Sequence, residues 1–244
     1  MKRQIKKILP YWFIEYVNLK KINNIFKNKP IKETFTYINE NKYWDSEESV
    51  SGDGSELAVT KELIKELQFF IKREKTQTIL DIPCGDFNWM QHVNLRDVDY
   101  IGGDIVENLI ENNSLKYGQE NITFKTLDLT KDILPGVDLL FCRDCLVHLS
   151  YKDIYKALIN IKKSKSKYLV TTSFNKCKKN KDIITGQWRK LNFEIAPFYL
   201  KKALFVIDEK YTQKGDKYSD KMMCLWEVKD ISIPFKLKLY YWFT

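Results

Sequence analysis

Histidine is almost missing from this chain of 244 residues: only His92 and His148 occur. That leaves few candidates for proton transfer near neutral pH. Apolar runs of membrane-spanning length are missing too, so no transmembrane helix is expected. The basic start, MKRQIKKILPYWFIEYV, has its apolar run broken by Glu15, and no small-residue cleavage site follows. A signal peptide is therefore not expected. Cysteine is sparse and odd in number, at Cys84, Cys142, Cys145, Cys177 and Cys224. Cys142 and Cys145 form a CxxC, but no second pair accompanies it, so no metal site is expected. The pattern fits a reducing, cytoplasmic setting. No internal repeat is visible. Strong charge is missing from the middle of the chain. Net charge is +9, but residues 1–45 hold ten Lys/Arg against four Asp/Glu, and residues 229–244 hold three against one. Only +1 remains for residues 46–228, whereas a nucleic-acid enzyme more often carries a basic face on its body. Nucleic acid is therefore not the expected partner.

What is present is globular: 44% of residues are hydrophobic and 14% aromatic. Apolar runs alternate with helical patterns along the chain. Strands are predicted at Thr78–Ile82, Val98–Asp104, Ile122–Asp128, Val137–Cys142, Tyr168–Ser173, Ala203–Glu209 and Met222–Val228. Helices are predicted from about Ser55 to Arg73, with Ser55 as N-cap, from Met90 to about Asn94, over Val106–Tyr117, and from Ser150 to about Lys163. Alternation of this kind predicts an α/β protein with a doubly wound, mostly parallel seven-stranded sheet, closed by an antiparallel hairpin around Lys214-Gly215-Asp216.

The first strand leads into the stretch TILDIPCGDFNWM, residues 78–90. A buried strand ends at Asp81 and turns sharply through Pro83, Cys84, Gly85 and Asp86 towards Trp89. Gly85 would let a ligand approach the backbone closely. The second strand ends at Asp104, followed by Ile105, 23 residues beyond Asp81. A strand-end acid at about this spacing suits two adjacent ribose hydroxyls. The third strand ends at Asp128-Leu129. Three consecutive strands thus end in acids, at the edge where open α/β sheets bind ligands.

This series resembles class I S-adenosylmethionine-dependent methyltransferases. The stretch from Asp81 is similar to their motif I, although Pro83 and Phe87 stand where glycines are often found. The resemblance spans residues 44–228 and is narrower still to one bacterial subgroup, in which an SGxGS stretch precedes DIPCGD; here Ser51-Gly52-Asp53-Gly54-Ser55 precedes Asp81–Asp86. It implies S-adenosyl-L-methionine as cofactor, held by Asp81, Pro83, Cys84, Gly85, Asp86, Trp89, Asp104, Ile105, Asp128, Leu129 and Arg143, with Asp128 and Leu129 clamping adenine. It also implies that the residues after the fourth strand face the transferred methyl group. His148 is the first candidate for general base there and Asp144 the second; the alternative for His148 is packing beneath the following helix.

Ser51, Gly54 and Ser55 sit at a predicted helix N-terminus, where backbone N–H groups favour anions; a plain linker is the alternative. The irregular stretch 174–200 supplies Trp188, Arg189, Asn192 and Tyr199 as substrate-binding candidates, with a satellite core as the alternative. Its polar-aromatic mixture points to a small hydroxylated or phosphorylated molecule, and the subgroup resemblance to a sugar or sugar phosphate used for surface glycans. Residues 1–43 read as a basic, aromatic, helical arm and 229–244 as a basic, aromatic tail. The arms would contact the body, a second subunit in a homodimer, or the inner face of a membrane. The rival functions are an RNA or protein methyltransferase, a dehydrogenase and a non-catalytic module anchored through its ends. The missing second and third glycines of the dinucleotide fingerprint disfavour the dehydrogenase.

Overall fold

The computed structural model describes residues 25–44, 46–211 and 218–233. The arm before residue 25, the turn at Lys214–Asp216 and the tail from residue 234 lie outside the described residues.

A helix at Ile31–Glu40 (α1) and another at Leu57–Glu74 (α2) precede the first strand, Thr78–Asp81 (β1). The chain continues through Asp99–Asp104 (β2), Glu107–Tyr117 (α3), Ile122–Thr126 (β3), Leu139–Cys142 (β4), Tyr151–Ser164 (α4), Tyr168–Phe174 (β5), Phe205–Asp208 (β6) and Lys221–Glu227 (β7). These strands make one sheet of seven in the order β3-β2-β1-β4-β5-β7-β6. Strands β1 to β5 pair in parallel, and β7 runs antiparallel between β5 and β6. The sheet is thus mixed, with its last strand inserted between β5 and β6.

Both faces are covered, and this explains the unbroken apolar run of β4. Leu139 and Phe141 pack with Leu63, Leu67 and Phe70 of α2. Leu140 and Cys142 point the other way, onto Ile154, Ala157, Leu158 and Ile161 of α4. Successive side chains alternate between faces, so a strand buried on both sides must be apolar throughout. The chain winds outward from β1 through β2 and β3, then returns to place β4 on the other side. That reversal opens a crevice at the carboxyl ends of β1 and β4.

Local signals set most boundaries. Ser150 caps α4, its hydroxyl accepting from the Asp153 N–H at 3.2 Å. Ser150→Ala is expected to cost about 1 kcal/mol. A thermal melt should then show a Tm lower by about 2–4 °C.

Ser55 is not the cap of α2. Residues Asp53–Ser55 form a 3-10 turn, Glu56 is the N-cap, and the Glu48 carboxylate accepts from the Leu57 N–H at 2.8 Å. The helix end predicted to hold an external anion is occupied by the chain's own acid. The predicted helix at 90–94 is a single 3-10 turn, Met90–His92. Strand β3 stops at Thr126, which leaves Asp128 in the loop beyond it. Among the described residues, no helix is long and apolar enough to cross a membrane.

Candidate active site

A cavity of about 560 Å³ lies at the carboxyl ends of the central strands. Its walls include the ends of β1, β2 and β4, the loop after β3, the segment 50–55, α1, and residues from the irregular stretch and the start of β7. All the residues from Asp81 to Asp86, with Trp89, Asp104, Ile105, Asp128, Leu129 and Arg143, line it. Asp144, His148, Ser51, Gly54, Ser55 and Trp188 line it as well.

The three acids have distinct surroundings. Asp81 is buried and accepts a hydrogen bond from the Tyr100 hydroxyl at 2.7 Å. Burial, partly offset by that bond, pushes its pKa up to about 7. Asp104 accepts from the Gly85 N–H at 3.2 Å and, through its other oxygen, from the Val106 N–H at 3.0 Å. It therefore fixes both the motif turn and the start of α3. Each oxygen keeps a second lone pair for a ligand, and burial raises the Asp104 pKa to about 6. Asp128 spends one oxygen on the N–H and hydroxyl of Thr130, at 2.8 and 2.6 Å. Its other oxygen, Oδ2, is buried and has no hydrogen-bond partner among the described residues; the nearest cation, Lys131, is 3.8 Å away. A buried acceptor left unpaired costs free energy unless something supplies a donor.

The turn itself depends on Gly85, which has φ +55°. A Cβ there would lie 2.3 Å from the Ser51 hydroxyl oxygen. Phe87 also has positive φ, 58°, and occupies one of the positions where a glycine was expected. Its ring fills the core under the turn, with centroids 5.1 to 5.3 Å from Tyr117, Phe124 and Tyr100. Cys84 is buried beside this turn, and burial pushes its thiol pKa well up, so it is a packing residue, not a nucleophile. Gly85→Ala combines strain with a steric clash. It should destabilise the chain by about 1–3 kcal/mol, read as a lowered Tm together with weakened ligand binding.

Asp86 does not direct its carboxylate at a ligand. It accepts from the Ser49 hydroxyl at 2.8 Å, the Val50 N–H at 3.0 Å, the Ser51 hydroxyl at 3.4 Å and the Asn88 N–H at 3.3 Å. These bonds tie segment 49–51 down over the motif turn. Asn88 adds to the attachment by donating to Glu48 and to the Ser55 carbonyl. Segment 46–55 is thus a strap across the cavity rather than a plain linker.

Arg143 is likewise committed to the chain. It pairs with buried Glu209 and donates to the Gly54 carbonyl at 2.8 Å, while its guanidinium lies over Trp89. Arg143 is therefore held in the cavity wall by the chain's own groups. Asp144, in the left-handed region at φ 50°, pairs with Lys221 and, at 3.4 Å, with Arg143. Those two cations outweigh burial and hold its carboxyl well below the usual range. A carboxylate so stabilised is a poor proton acceptor, which removes Asp144 as a candidate base.

His148 ends the 3-10 turn Leu146–His148 and faces the cavity. Its Nδ1 lies 2.9 Å from the Gln187 carbonyl oxygen. A carbonyl only accepts, so Nδ1 carries the proton and Nε2 holds a lone pair. Burial lowers the His148 pKa to about 4, so the ring is neutral at physiological pH. The Trp44 ring lies across it, centroids 4.2 Å apart.

Of the four candidates in the irregular stretch, only Trp188 reaches the cavity, packed edge-on against Phe174 and Tyr218. Arg189 is 8% exposed and donates to the carbonyls of Leu146, Leu149 and Lys181, so it pins the loop below His148 and does not meet a substrate. Asn192 is buried, donating to the Cys177 carbonyl and accepting from the Glu194 N–H. Tyr199 is 60% exposed, in a left-handed turn away from the cavity wall. Sequence reasoning missed Trp44, Lys221, Tyr218 and the α1 residues Ile31, Phe35 and Asn39, all of which line the cavity. Lys221 left one trace, as the lone cation at the head of the apolar run KMMCLW. All five cysteines are free, and among the described residues no group of three His, Cys, Asp or Glu converges as a metal site.

No protein-family model matches the chain, and no curated protein matches it by sequence. Solved structures do. Phosphoethanolamine N-methyltransferase 1 of Haemonchus contortus, in complex with phosphoethanolamine and S-adenosylhomocysteine, superposes with a TM-score of 0.58 at 12% identity. The match covers 86% of this chain and 52% of that one, so this chain spans about half the length of that protein. Magnesium protoporphyrin IX methyltransferase of Synechocystis, with bound S-adenosylmethionine, gives 0.54 at 13% identity, over 82% of this chain and 98% of that one. Human N-acetylserotonin methyltransferase, in complex with S-adenosylmethionine, gives 0.51 at 13% identity, over 72% and 56% respectively. With its strand order, its antiparallel seventh strand and these neighbours, the chain has the fold of the class I S-adenosylmethionine-dependent methyltransferases.

Proposed function

We propose that this chain is an S-adenosylmethionine-dependent methyltransferase that methylates an oxygen of a small hydroxylated or phosphorylated molecule, with a sugar precursor of a surface glycan as the preferred substrate. The observation that carries the reading is the buried Oδ2 of Asp128 in the cavity wall, which has no hydrogen-bond partner among the described residues. It is an acceptor in want of a donor, and the exocyclic amine of adenine supplies one. The residues around it fit the rest of the cofactor. Asp104 keeps lone pairs for the ribose hydroxyls, Leu129 offers an apolar surface to the ring, and Gly85 lacks the Cβ that would obstruct approach to the turn. When bound, the cofactor supplies a methyl group on a sulfonium, open to in-line displacement.

The protein's own contribution is orientation and proton removal. His148, neutral and with Nε2 unprotonated, accepts the proton of the attacking hydroxyl. The rest of the wall suits a hydroxylated molecule. Trp44, Trp188 and Tyr218 offer flat apolar faces, and the Asp144–Lys221 pair offers an acceptor beside a donor. The methyltransferase unit is taken as residues 44–228 with α1 as an added wall, working in the cytoplasm. Contact of the terminal arms with a membrane surface or a second copy belongs to the same proposal.

Calorimetry with S-adenosylhomocysteine tests the cofactor assignment, with micromolar binding expected. No binding, under conditions where the chain is folded by circular dichroism, overturns it. A screen of sugars and sugar phosphates with methyl-labelled cofactor then tests the acceptor class.

A further inference from the structure

We propose that Trp44 is a positioning residue for His148, held in place by a strap that packs on it through Gly52 and is anchored by Asp86. The inference rests on the assignment of His148 as proton acceptor but is measured independently of methyl transfer.

An imidazole that accepts a proton through Nε2 must be held in one tautomer and one orientation. Gln187 settles the tautomer through its carbonyl oxygen. That single bond leaves the ring free to swing about it. Trp44 removes this freedom, because its ring lies over the imidazole at 4.2 Å with the planes 34° apart. Trp44 is itself backed by Phe35 of α1, at 6.0 Å.

Gly52 explains why the tryptophan cannot retreat. At φ +92°, its backbone passes so close that a Cβ would lie 2.7 Å from the Trp44 carbonyl oxygen and 3.3 Å from the Trp44 Cβ. The preceding residue, Ser51, and its neighbours Ser49 and Val50 hang from the Asp86 carboxylate. Segment 49–52, tied to Asp86 and packed against Trp44 through Gly52, therefore links the motif turn at Gly85–Asp86 to the residue that covers His148.

The charged groups facing His148 come from separate elements: Asp144 from the loop after β4, Arg189 from the irregular stretch and Lys221 from β7. Asp144 favours the protonated ring, and Arg189 and Lys221 oppose it. Trp44 adds exclusion of water, so removing its ring should let solvent reach the imidazole.

The test is proton NMR of the imidazole ring through a pH titration. His148 and His92 are the only histidines, and His92 is exposed on a surface turn, so His92→Gln assigns the signals. In the His92→Gln background His148 is expected to titrate near 4. Trp44→Ala should move it upward by about one unit or more, towards the unperturbed value near 6.5. Trp44→Phe, which keeps a ring in place, should retain the low value. Gly52→Ala, which displaces Trp44 without deleting it, should shift the titration as Trp44→Ala does. In turnover, Trp44→Ala should lower kcat about tenfold or more with S-adenosylhomocysteine affinity unchanged. The proposal is overturned if Trp44→Ala or Gly52→Ala leaves the His148 titration where it was, or if Trp44→Phe moves it as far as alanine does. Absence of cofactor binding would remove the methyltransferase reading while leaving the titration result to decide the positioning role.

Discussion

Asp104→Ala is expected to weaken S-adenosylhomocysteine binding by about 100-fold or more. Hydrogen bonds to a charged group each contribute about 1.5–3 kcal/mol. A tenfold change in affinity corresponds to about 1.4 kcal/mol. Losing two bonds to ribose hydroxyls accounts for the expected loss. The side chain also holds the N–H groups of Gly85 and Val106, so its removal loosens the turn as well. Asp104→Asn separates the two effects, since it keeps the shape and discards the charge, and its loss should be smaller. The wild type should show the same dependence on pH. Burial raises the Asp104 pKa to about 6, so the carboxylate is ionised above that value and protonated below it. Charge-assisted bonds are stronger than neutral ones, and affinity should fall as pH drops through about 6. Calorimetry across this range checks both the variant and the pH dependence. Full affinity in Asp104→Ala would show that the carboxylate serves the fold alone.

His148→Ala should reduce kcat by about 100- to 10,000-fold, the usual contribution of a positioned general base. Binding of S-adenosylhomocysteine should change by less than about twofold, well under the tenfold that a loss of 1.4 kcal/mol would produce. A drop in both would mean that His148 supports the cavity rather than the proton transfer. The sign of the pH effect follows from the ring's environment. Burial lowers the His148 pKa to about 4, so the basic form persists well below neutrality. The acid limb of the kcat profile, read at saturating cofactor, should therefore lie closer to 4 than to the 6.5 of a solvated histidine. Asp144→Asn should keep that limb but move it lower, because the Asp144 carboxylate, ionised by Lys221 and Arg143 throughout this range, favours the protonated ring.

The features legible in the sequence are the local ones. Asp81 and Asp104 could be picked out because each ends a strand, and a strand end is a short-range signal; Asp128 was legible as an acid just past the alternating run of β3. Ser150 was readable as a cap for the same reason, its partner Asp153 being three residues away. What was not readable depends on partners distant in the chain. Glu48 caps α2 from nine residues upstream, and Glu209 meets Arg143 across 66 residues. Nothing in either neighbourhood announces the pairing. Arg189 shows the limit most clearly. Its chemistry suited an anionic substrate, but backbone carbonyls engage all three of its nitrogens. An irregular segment has no periodicity to say which side chains point inward, so stretch 174–200 yielded one cavity residue, Trp188, among four candidates. Phe87 in place of a glycine weakened the motif on paper, yet its ring supplies core packing that a glycine could not.

The role assigned to the carboxylates is tested most directly by a crystal structure of the chain soaked with S-adenosylhomocysteine. The adenine amine should lie within hydrogen-bond distance of Asp128 Oδ2, with the ribose hydroxyls on Asp104. Density for the nucleoside elsewhere, or a cavity that stays empty at saturating ligand with Asp128 Oδ2 still unpaired, would contradict it.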